Sequence, residues 1–374
     1  MTARSCFVGL ISGTSMDGID AVVADFSHQQ PHILAADTFA FTPELRQQLD
    51  QVRADPDHFP TARLALLDAQ FGEKLAEAAS RIIEQSGMKP SAIAAIGSHG
   101  QTVLHRPDAQ PPHTLQIGDP TRIVERTGCI VVADFRRADL AAGGQGAPLA
   151  PLLHHALLAD DEENRLVVNL GGIANVTVLP GDGGVSGFDS GPANCYLDLW
   201  YRRHHADPKD GRYDADGAWA RTGAIKQNFL EKLLKDTYLQ RTPPKSTGIE
   251  YFSPSWLDQQ LPPDAATRPA DIQATLAEFS AVSLARSVQE FVPFHPDRIL
   301  VCGGGVHNAD LMKRIQQQLG GIPMDTTAPY GIDPDHVEAL LFAWLARERM
   351  TGSPVNSSSI TGASRPVELG AIYR

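Results

Sequence analysis

Apolar and polar positions along the chain form segments typical of strands and of amphipathic helices. Residues 8–26 read VGLISGTSMDGIDAVVADF, two apolar runs separated by a turn rich in glycine, hydroxyl and carboxylate groups. The next apolar stretch, PHILAADTFAF at 31–41, predicts a third strand. The pattern therefore predicts an N-terminal hairpin whose turn carries more polar groups than chain reversal requires.

A long helix and several short strands are predicted next. Segment 61–87 has apolar residues at spacings of three and four, which predicts an amphipathic helix ending at Gly87. The runs AIAAIGSHG, HTLQIGD and TGCIVVADF end in Gly or Asp, the pattern of strands whose carboxyl ends open onto a crevice. The run PLAPLLHHALL predicts a buried or bridging helix, and a domain crossover is expected near 145–165.

The N-terminal pattern recurs in the second half of the chain. Segment 165–184, RLVVNLGGIANVTVLPGDGG, again reads strand, glycine turn and strand, which predicts two domains built on one plan. A third glycine stretch, RILVCGGGVHNADLMKRI, predicts a strand and then a helix capped by Asn308 or Asp310. The Walker, GxGxxG and protein-kinase motifs are absent from the sequence, so these glycine turns are the candidates for phosphate binding.

Composition narrows the function classes. A chain of 374 residues is long enough for two domains. Its 32 Lys and Arg against 44 Asp and Glu give a net charge of -12, which opposes binding to nucleic acid or an anionic membrane. The sequence has no signal-peptide core or membrane-length apolar run, and its four cysteines form no CxxC pair. A soluble cytoplasmic protein with reduced packing cysteines is therefore predicted.

Longer motifs resemble those of one family over nearly the whole chain. The strings GLISGTSMDGID, GSHGQTV, TLQIGDP, VVADFRRADLAAGGQGAPL, NLGGIANVT, GFDSGPAN, CGGGVHN, HVEALLFAWLA and TGASRPVELGAIY closely resemble those of the anhydro-N-acetylmuramic acid kinases. The resemblance implies an α/β chain with the two-domain actin, heat-shock-70 and hexokinase ATPase fold. Each domain would be ribonuclease-H-like, with a mixed sheet flanked by helices. The implied domains are 1–145 with 345–374, and 146–344, with ATP and sugar in the cleft between them.

The family's reaction sets a chemical requirement. It converts 1,6-anhydro-N-acetylmuramic acid, ATP and water into N-acetylmuramic acid 6-phosphate and ADP in peptidoglycan recycling. Water must attack C1 to open the acetal, and a carboxylate is the natural general base for this water. The resemblance gives this role to Asp189, whereas the local sequence fits helix capping by Asp189 or Ser190 before Pro192 equally well. Ser190 and Ala193 stand where relatives commonly have Thr and Gly.

The resemblance also implies where ATP binds. The implied nucleotide-binding residues are Ser12, Gly13, Thr14, Ser15, Met16, Asp17, Gly18 and Ile19 in the first turn, Asn169, Gly171, Gly172 and Asn175 in the second, and Gly303, Gly304 and Gly305. Asp17 could hold Mg²⁺ through water or stabilise its turn by an Asx bond. Many superfamily members carry a carboxylate where this chain has Ile11, so the Mg²⁺ ligands stay unassigned.

For the sugar, the resemblance implies His99, Gln101, Gln116, Asp119, Asp134, Arg136 and Glu338. Each has a structural alternative. His99 fits a satisfied loop residue, and Asp119 and Asp134 fit helix caps. Arg136 and its neighbour Arg137 fit one salt bridge and one solvated head, and Glu338 fits a favourable place at a helix N-terminus.

Two other functions remain open from the sequence. An amino-sugar kinase of the same fold would not need the C1 water. A non-catalytic, actin-like sugar sensor would bind nucleotide without turnover, but the acidic charge and the lack of a DNA-binding appendage oppose it. The expected partners are ATP and a small sugar, with no nucleic acid and no membrane, and a homodimer is left open.

Overall fold

The strands form two mixed sheets and one separate hairpin in the computed structural model, which describes residues 4–13, 18–205, 207, 211–265 and 268–374. The strands are β1 Cys6–Ile11, β2 Gly18–Asp25, β3 His32–Ala40, β4 Ile93–Ser98, β5 Gln101–Arg106, β6 His113–Ile117, β7 Val131–Ala133, β8 Arg165–Leu170, β9 Ile173–Leu179, β10 Ser186–Pro192, β11 Arg298–Cys302, β12 Met324–Thr326 and β13 Ala371–Tyr373.

Helices flank these sheets. They are α1 Pro43–Ala54, α2 Thr61–Gln85, α3 Pro120–Thr127, α4 Arg137–Ala141, α5 Ala150–Leu158, α6 Cys195–His204, α7 Gln227–Leu233, α8 Pro254–Gln260, α9 Pro269–Phe291, α10 Ala309–Gln318, α11 Val337–Thr351 and α12 Ser358–Thr361. In the described ranges, none of these helices combines the length and apolar character that a membrane span needs.

The chain divides into two compact units. Unit 1 comprises Met1–Leu157 and Tyr330–Arg374, and unit 2 comprises Leu158–Pro329. The division falls within the expected crossover region near 145–165, whereas the expected second border at 344 lies inside α11. The assignment of the two ribonuclease-H-like domains to 1–145 with 345–374 and to 146–344 stays a prediction.

The main sheet of unit 1 has the strand order β13-β7-β4-β1-β2-β3. Strands β1, β2 and β3 run antiparallel in sequence, whereas β4 pairs with β1, and β7 with β4, in parallel. The predicted N-terminal hairpin and its third strand are therefore confirmed. In this hairpin Ile11 lies directly opposite Asp20.

Unit 2 repeats the arrangement. Its order is β10-β9-β8-β11-β12, again three antiparallel strands followed by two parallel ones. Both sheets therefore have the same order of their first five members, third-second-first-fourth-fifth. The predicted α/β class with mixed sheets, and the repeat of the hairpin, are confirmed.

Glycines bring α11 unusually close to the sheet of unit 1. A Cβ atom on Gly9 of β1 would lie 1.8 Å from the carbonyl oxygen of Ala339, and one on Gly97 of β4 would lie 1.9 Å from that of Phe342. No side chain fits in either place, so helix and strand backbones pack in direct contact. This packing fixes the N-terminus of α11, which carries Glu338, beside the ends of β1 and β4.

Two capping expectations can be settled. Asp189 does not cap a helix, because it lies within β10 and pairs with Asn175 of β9, while Asn194 occupies the N-cap position of α6. The local capping interpretation of Asp189 is therefore wrong. At α10 the N-cap is Asn308, whose side chain accepts a bond from the N–H of Leu311 at 3.0 Å.

Candidate active site

The first glycine turn begins where β1 ends. The buried Ser12 hydroxyl donates to Gln101 Oε1, and the Ser12 N–H donates to the Gly100 carbonyl at 3.4 Å. At the other end of the turn, a Cβ on Gly18 would lie 2.6 Å from the Phe39 carbonyl oxygen, so β3 can pair closely only with glycine there. Ile19 is buried in β2. The predicted ligands Thr14, Ser15, Met16 and Asp17 lie outside the described residues.

Unit 1 contains a cavity of about 380 Å³ beside the carboxyl ends of its strands. The cavity is lined by the predicted sugar residues His99, Gln116, Asp119 and Asp134, and also by Ser98, Gly100, Ala133, Arg137 and, from α2, Thr61, Leu64 and Ala65. Gln101, Arg136 and Glu338 are not part of this lining. Sequence reasoning thus named four residues that the fold brings together around one cavity.

The buried His99, which lines this cavity, is paired with the half-buried Arg136. Arg136 Nε donates to His99 Nε2 at 3.0 Å, and its Nη1 donates to the Gly146 carbonyl at 2.8 Å. Because Nε2 accepts, the proton of a neutral His99 is on Nδ1, which faces the Gly100 carbonyl at 3.0 Å. Burial, and then the charge of Arg136, hold the pKa of His99 well below its usual value.

The structural alternative for Arg136 and Arg137 predicted one salt bridge and one solvated side chain, and only the salt bridge is found. Arg137 is exposed and its Nη1 lies 3.4 Å from Asp134 Oδ2, so it makes the expected salt bridge. Arg136 is not a solvated head, because burial lowers its pKa to about 10, opposed by the charges of Glu338 and Asp139. The alternative is therefore wrong for Arg136.

Glu338 lies in the first turn of α11, as predicted. Burial first, and then the negative charge of Asp20, raise the pKa of Glu338, whereas Arg136 lowers it. A Cβ on Gly13 would lie 3.4 Å from Glu338 Oε2, which places this carboxyl beside the first glycine turn. Glu338 therefore connects that turn with the Arg136 pair.

The remaining carboxylates at the cavity differ in their bonding. Asp119 caps α3 by accepting from the Thr121 N–H at 2.9 Å, as its structural alternative predicted. Asp134 does not occupy the N-cap position of α4, which is Arg136, but its carboxylate bonds to the main chain of Arg137, the first residue of that helix. Asp134 has a left-handed φ of 61°, and burial raises its pKa, opposed by the charge and the main-chain bond of Arg137. Gln116 donates its amide to Thr114 Oγ1 at 2.8 Å.

In unit 2, Asp189 is a buried carboxylate held by three donors. Asn175 Nδ2 donates to Oδ1, while Ser246 Oγ and the Thr247 N–H each donate to Oδ2 at 2.8 Å. Burial raises the pKa of Asp189, these hydrogen bonds oppose the rise, and the charge of Glu250 adds to it. A carboxylate has about four lone-pair sites, so one stays open for a further donor such as water.

The main chain of Asp189 is fixed as well. Its N–H donates to the Lys245 carbonyl at 3.1 Å, and its carbonyl accepts from the Tyr238 hydroxyl at 2.8 Å. Sequence reasoning missed the 245–247 segment. The available signal was the run PPKSTG, in which two hydroxyl residues stand between proline and glycine as in turns that bond nearby groups.

The structure brings the second glycine turn and the GGG stretch together. Asn169 is the next-to-last residue of β8, and a Cβ on Gly303 would lie 2.2 Å from its Oδ1, so only glycine fits there. Gly303 also has a left-handed φ of 80°. The carbonyls of Gly171 and Gly172 accept N–H groups at the start of α6, and a Cβ on Gly305 would lie 2.5 Å from Leu170. Gly304 has open space beside it.

Two mixed sheets of one strand order, each with a glycine turn in its first hairpin, define an α/β fold of the actin and hexokinase class. The profile of the family described as anhydro-N-acetylmuramic acid kinase matches residues 5–374. An anhydro-N-acetylmuramic acid kinase of Xanthomonas campestris pv. campestris (strain 8004) is 47% identical over 375 residues, covering 100% of this chain and 98% of its own. One of Chromohalobacter salexigens is 47% identical over 373 residues, covering 98% and 99%. The chain belongs to the anhydro-N-acetylmuramic acid kinase family and is a kinase.

Solved structures also match most of this chain, at much lower identity. The activator of the 2-hydroxyisocaproyl-CoA dehydratase from Clostridium difficile, with bound ADPNP, is 11% identical with a TM-score of 0.45, covering 93% of this chain and 96% of its own. A ROK family glucokinase from Streptomyces griseus, in complex with glucose and AMPPNP, is 14% identical with a TM-score of 0.40, covering 92% and 99%.

Proposed function

We propose that this kinase opens 1,6-anhydro-N-acetylmuramic acid with water and phosphorylates its O6 with ATP in peptidoglycan recycling. Water oxygen bonds to C1 as the C1–O6 bond breaks, and the water proton passes to Asp189. O6 bonds to the γ-phosphorus as the bond to ADP breaks. The products are N-acetylmuramic acid 6-phosphate and ADP, and Asp189 then loses its proton to solvent.

The environment of Asp189 carries this proposal. A general base must accept a proton in the reaction and yet be ionised beforehand. Burial raises the proton affinity of Asp189, while three hydrogen bonds keep the carboxylate oriented and oppose protonation. The open lone-pair site is where the attacking water would bind.

The cavity of unit 1 supports the choice of substrate. Its polar wall offers a neutral imidazole, an amide and two carboxylates, His99, Gln116, Asp119 and Asp134, which suit sugar hydroxyls and an N-acetyl group. Arg137 also lines the cavity and is exposed, so its guanidinium can bind the lactyl carboxylate. Three residues outside the lining would hold the cavity wall and the first glycine turn in place without contacting the sugar: Gln101, Arg136 and Glu338.

ATP is proposed to bind at the glycine turns. Main-chain N–H groups at Gly13, Gly171 and Gly304 can approach phosphate oxygens closely, as Gly-rich anion sites do. When bound, Mg²⁺ would neutralise phosphate charge. Within the described residues no group of three metal-ligating side chains occurs, but Mg²⁺ commonly uses one or two carboxylates plus phosphates. Asp20 lies opposite Ile11 in the first hairpin and Glu338 lies beside Gly13, so these two carboxylates are the ones that would hold Mg²⁺.

A product assay tests the proposal. The protein, ATP, Mg²⁺ and the anhydro sugar are incubated in water enriched in heavy oxygen. We expect ADP, a 6-phosphate and heavy oxygen at C1. No turnover by folded protein, or a product without solvent oxygen, contradicts the proposal. Turnover of the hydrolysed sugar instead identifies an ordinary amino-sugar kinase, and nucleotide binding without turnover identifies a sensor.

Replacement of the base is the matching variant test. Asp189→Asn keeps the side-chain shape but removes the proton acceptor, so we expect kcat to fall about 100-fold or more with nucleotide affinity unchanged. Steady-state ADP release and nucleotide titration measure both. The control is Asp214→Asn, a second buried carboxylate of unit 2 that accepts the N–H groups of Trp219 and Ala220. If Asp189→Asn turns over like Asp214→Asn, another residue is the base.

A further inference from the structure

Lys245 is a buried cation behind Asp189. Only 7% of the residue is exposed, and its Nζ lies 4.5 Å from the ring centroid of Phe291, 5.2 Å from that of Tyr238 and 5.9 Å from that of Phe188. The ammonium donates to the Leu239 carbonyl at 3.2 Å. In the part of unit 2 that the structure describes, no carboxylate makes an ion pair with this ammonium.

Burial of a lysine ammonium without a carboxylate partner costs hydration free energy. Burial lowers its pKa to about 8, although the charges of Glu290 and Asp189 oppose the change. Cation–π contacts with three rings recover part of the lost hydration energy. An apolar side chain such as Met would fill the same aromatic cage without that cost, so packing alone does not explain a charge here.

The segment 245–247, which begins at Lys245 in the aromatic cage of Phe188, Tyr238 and Phe291, binds Asp189. The Lys245 carbonyl accepts the Asp189 N–H, and the next two residues, Ser246 and Thr247, both donate to Asp189 Oδ2. Tyr238, one wall of the cage, donates its hydroxyl to the Asp189 carbonyl. Three consecutive residues and one cage residue therefore fix the backbone and the carboxylate of Asp189 together.

We propose that Lys245 is a positioning residue for Asp189: its caged side chain anchors the 245–247 segment, and its positive charge acts across β10 on the carboxylate. This inference rests on the proposed role of Asp189 as the base. Lys245 itself does not touch the reacting atoms.

The surroundings of Asp189 determine the expected pH effect. Asn175 from β9, Ser246 and Thr247 donate to its carboxylate, and Glu250 is the nearby anion. Lys245 is the cation whose charge interacts with Asp189. Removal of that cation destabilises the ionised carboxylate, so the pKa of Asp189 rises and the acid limb of the rate profile moves to higher pH.

The test compares Lys245→Met with Lys232→Met. Lys232 also donates to main-chain carbonyls of unit 2, those of Gln259 and Gln260, but is exposed. For Lys245→Met we expect the acid limb of kcat to move up by about one pH unit. At the optimum we expect kcat to fall about tenfold or more, because the base is displaced, with KM for sugar and ATP unchanged. Lys232→Met should leave both unchanged.

A second variant keeps the test decisive. Lys245→Arg retains the charge, so its acid limb should stay at the wild-type pH even if packing lowers kcat. An unmoved acid limb in folded Lys245→Met overturns the inference, and so does an equal shift in Lys245→Arg. If wild-type protein makes no product with solvent oxygen at C1, the proposed function fails instead. Thermal denaturation of each variant verifies folding.

Discussion

Single residues in this protein repeatedly carry charge or polarity where burial disfavours it. His99, Glu338 and Asp189 all have their charged forms disfavoured by desolvation, and the side chains of His99 and Asp189 are also held by specific hydrogen bonds. Ion pairs on the protein surface do not combine such desolvation with fixed partners. Burial with a fixed partner is typical of groups that bind or move protons, so these residues are the ones to test first.

The Arg136–His99 pair gives a residue-scale prediction. Arg136→Met removes both the donor to His99 Nε2 and a nearby positive charge, so the pKa of His99 should rise toward its ordinary value. Burial remains, so the rise is partial. The measurement is an NMR titration of the His99 ring without ligand. Arg137→Met is the control, since Arg137 pairs with Asp134 instead, and an equal shift in both variants would refute the assignment.

At the scale of elements, α11 and the two strands beneath it form one rigid block. Gly9 and Gly97 let the helix backbone meet β1 and β4 directly. A second tie is Asp139 of α4, a fully buried carboxylate that accepts from Ser357, Thr361 and the Gly146 N–H. It joins the C-terminal segment to the loop whose Gly146 carbonyl holds Arg136.

Substitution of Gly97 tests this packing. Gly97→Ala would force a methyl group against the Phe342 carbonyl, so we expect a loss of about 2 kcal/mol or more in the free energy of unfolding. Urea denaturation measures it. Gly304→Ala is the control, because Gly304 has open space beside it and a backbone that other residues adopt. Equal midpoints for the two variants would show that α11 moves freely.

Elements in which apolar residues recur at a regular spacing could be predicted from the sequence. A strand that forms only because a neighbouring strand pairs with it could not. The hairpin of β1 and β2 and the long helix α2 follow from apolar spacing, although α2 ends at Gln85 rather than Gly87. Strand β10 reads SGFDSGP, with glycines and proline that disfavour strands. Strand β10 forms because it pairs antiparallel with the edge of β9. The local sequence therefore left helix capping open for Asp189, and its place within β10 excludes that alternative.

The whole molecule shows what an internal repeat can reveal. The doubled glycine turn predicted two sheets of one plan, and both have the same strand order. Contacts between segments that lie far apart along the chain could not be predicted from the sequence. The run at 245–247 indicates a turn with hydroxyl donors, but it does not identify Asp189 as their acceptor, because the chain between them includes α6 and α7. Such contacts are set by packing of elements and not by local pattern.

Net charge gives a prediction for the whole molecule. With a charge of -12, the protein should not be drawn to polyanions, and local glycine turns cannot replace a basic surface. We expect no retention on a heparin column at low ionic strength and no shift of a DNA fragment in a gel. Salt-sensitive retention would reveal a basic patch and reopen the question of a nucleic-acid partner.

For protein engineering, the walls of the unit 1 cavity offer unequal opportunities. The strand-end wall is interlocked through His99, Arg136 and Gly146, so a change there spreads to its neighbours. The opposite wall includes Thr61, Leu64 and Ala65 of α2, of which Thr61 and Ala65 are exposed while Leu64 also packs against the core of unit 1. Redesign toward bulkier phosphoryl acceptors should therefore begin at the exposed Thr61, because truncation of Leu64 would also remove core packing.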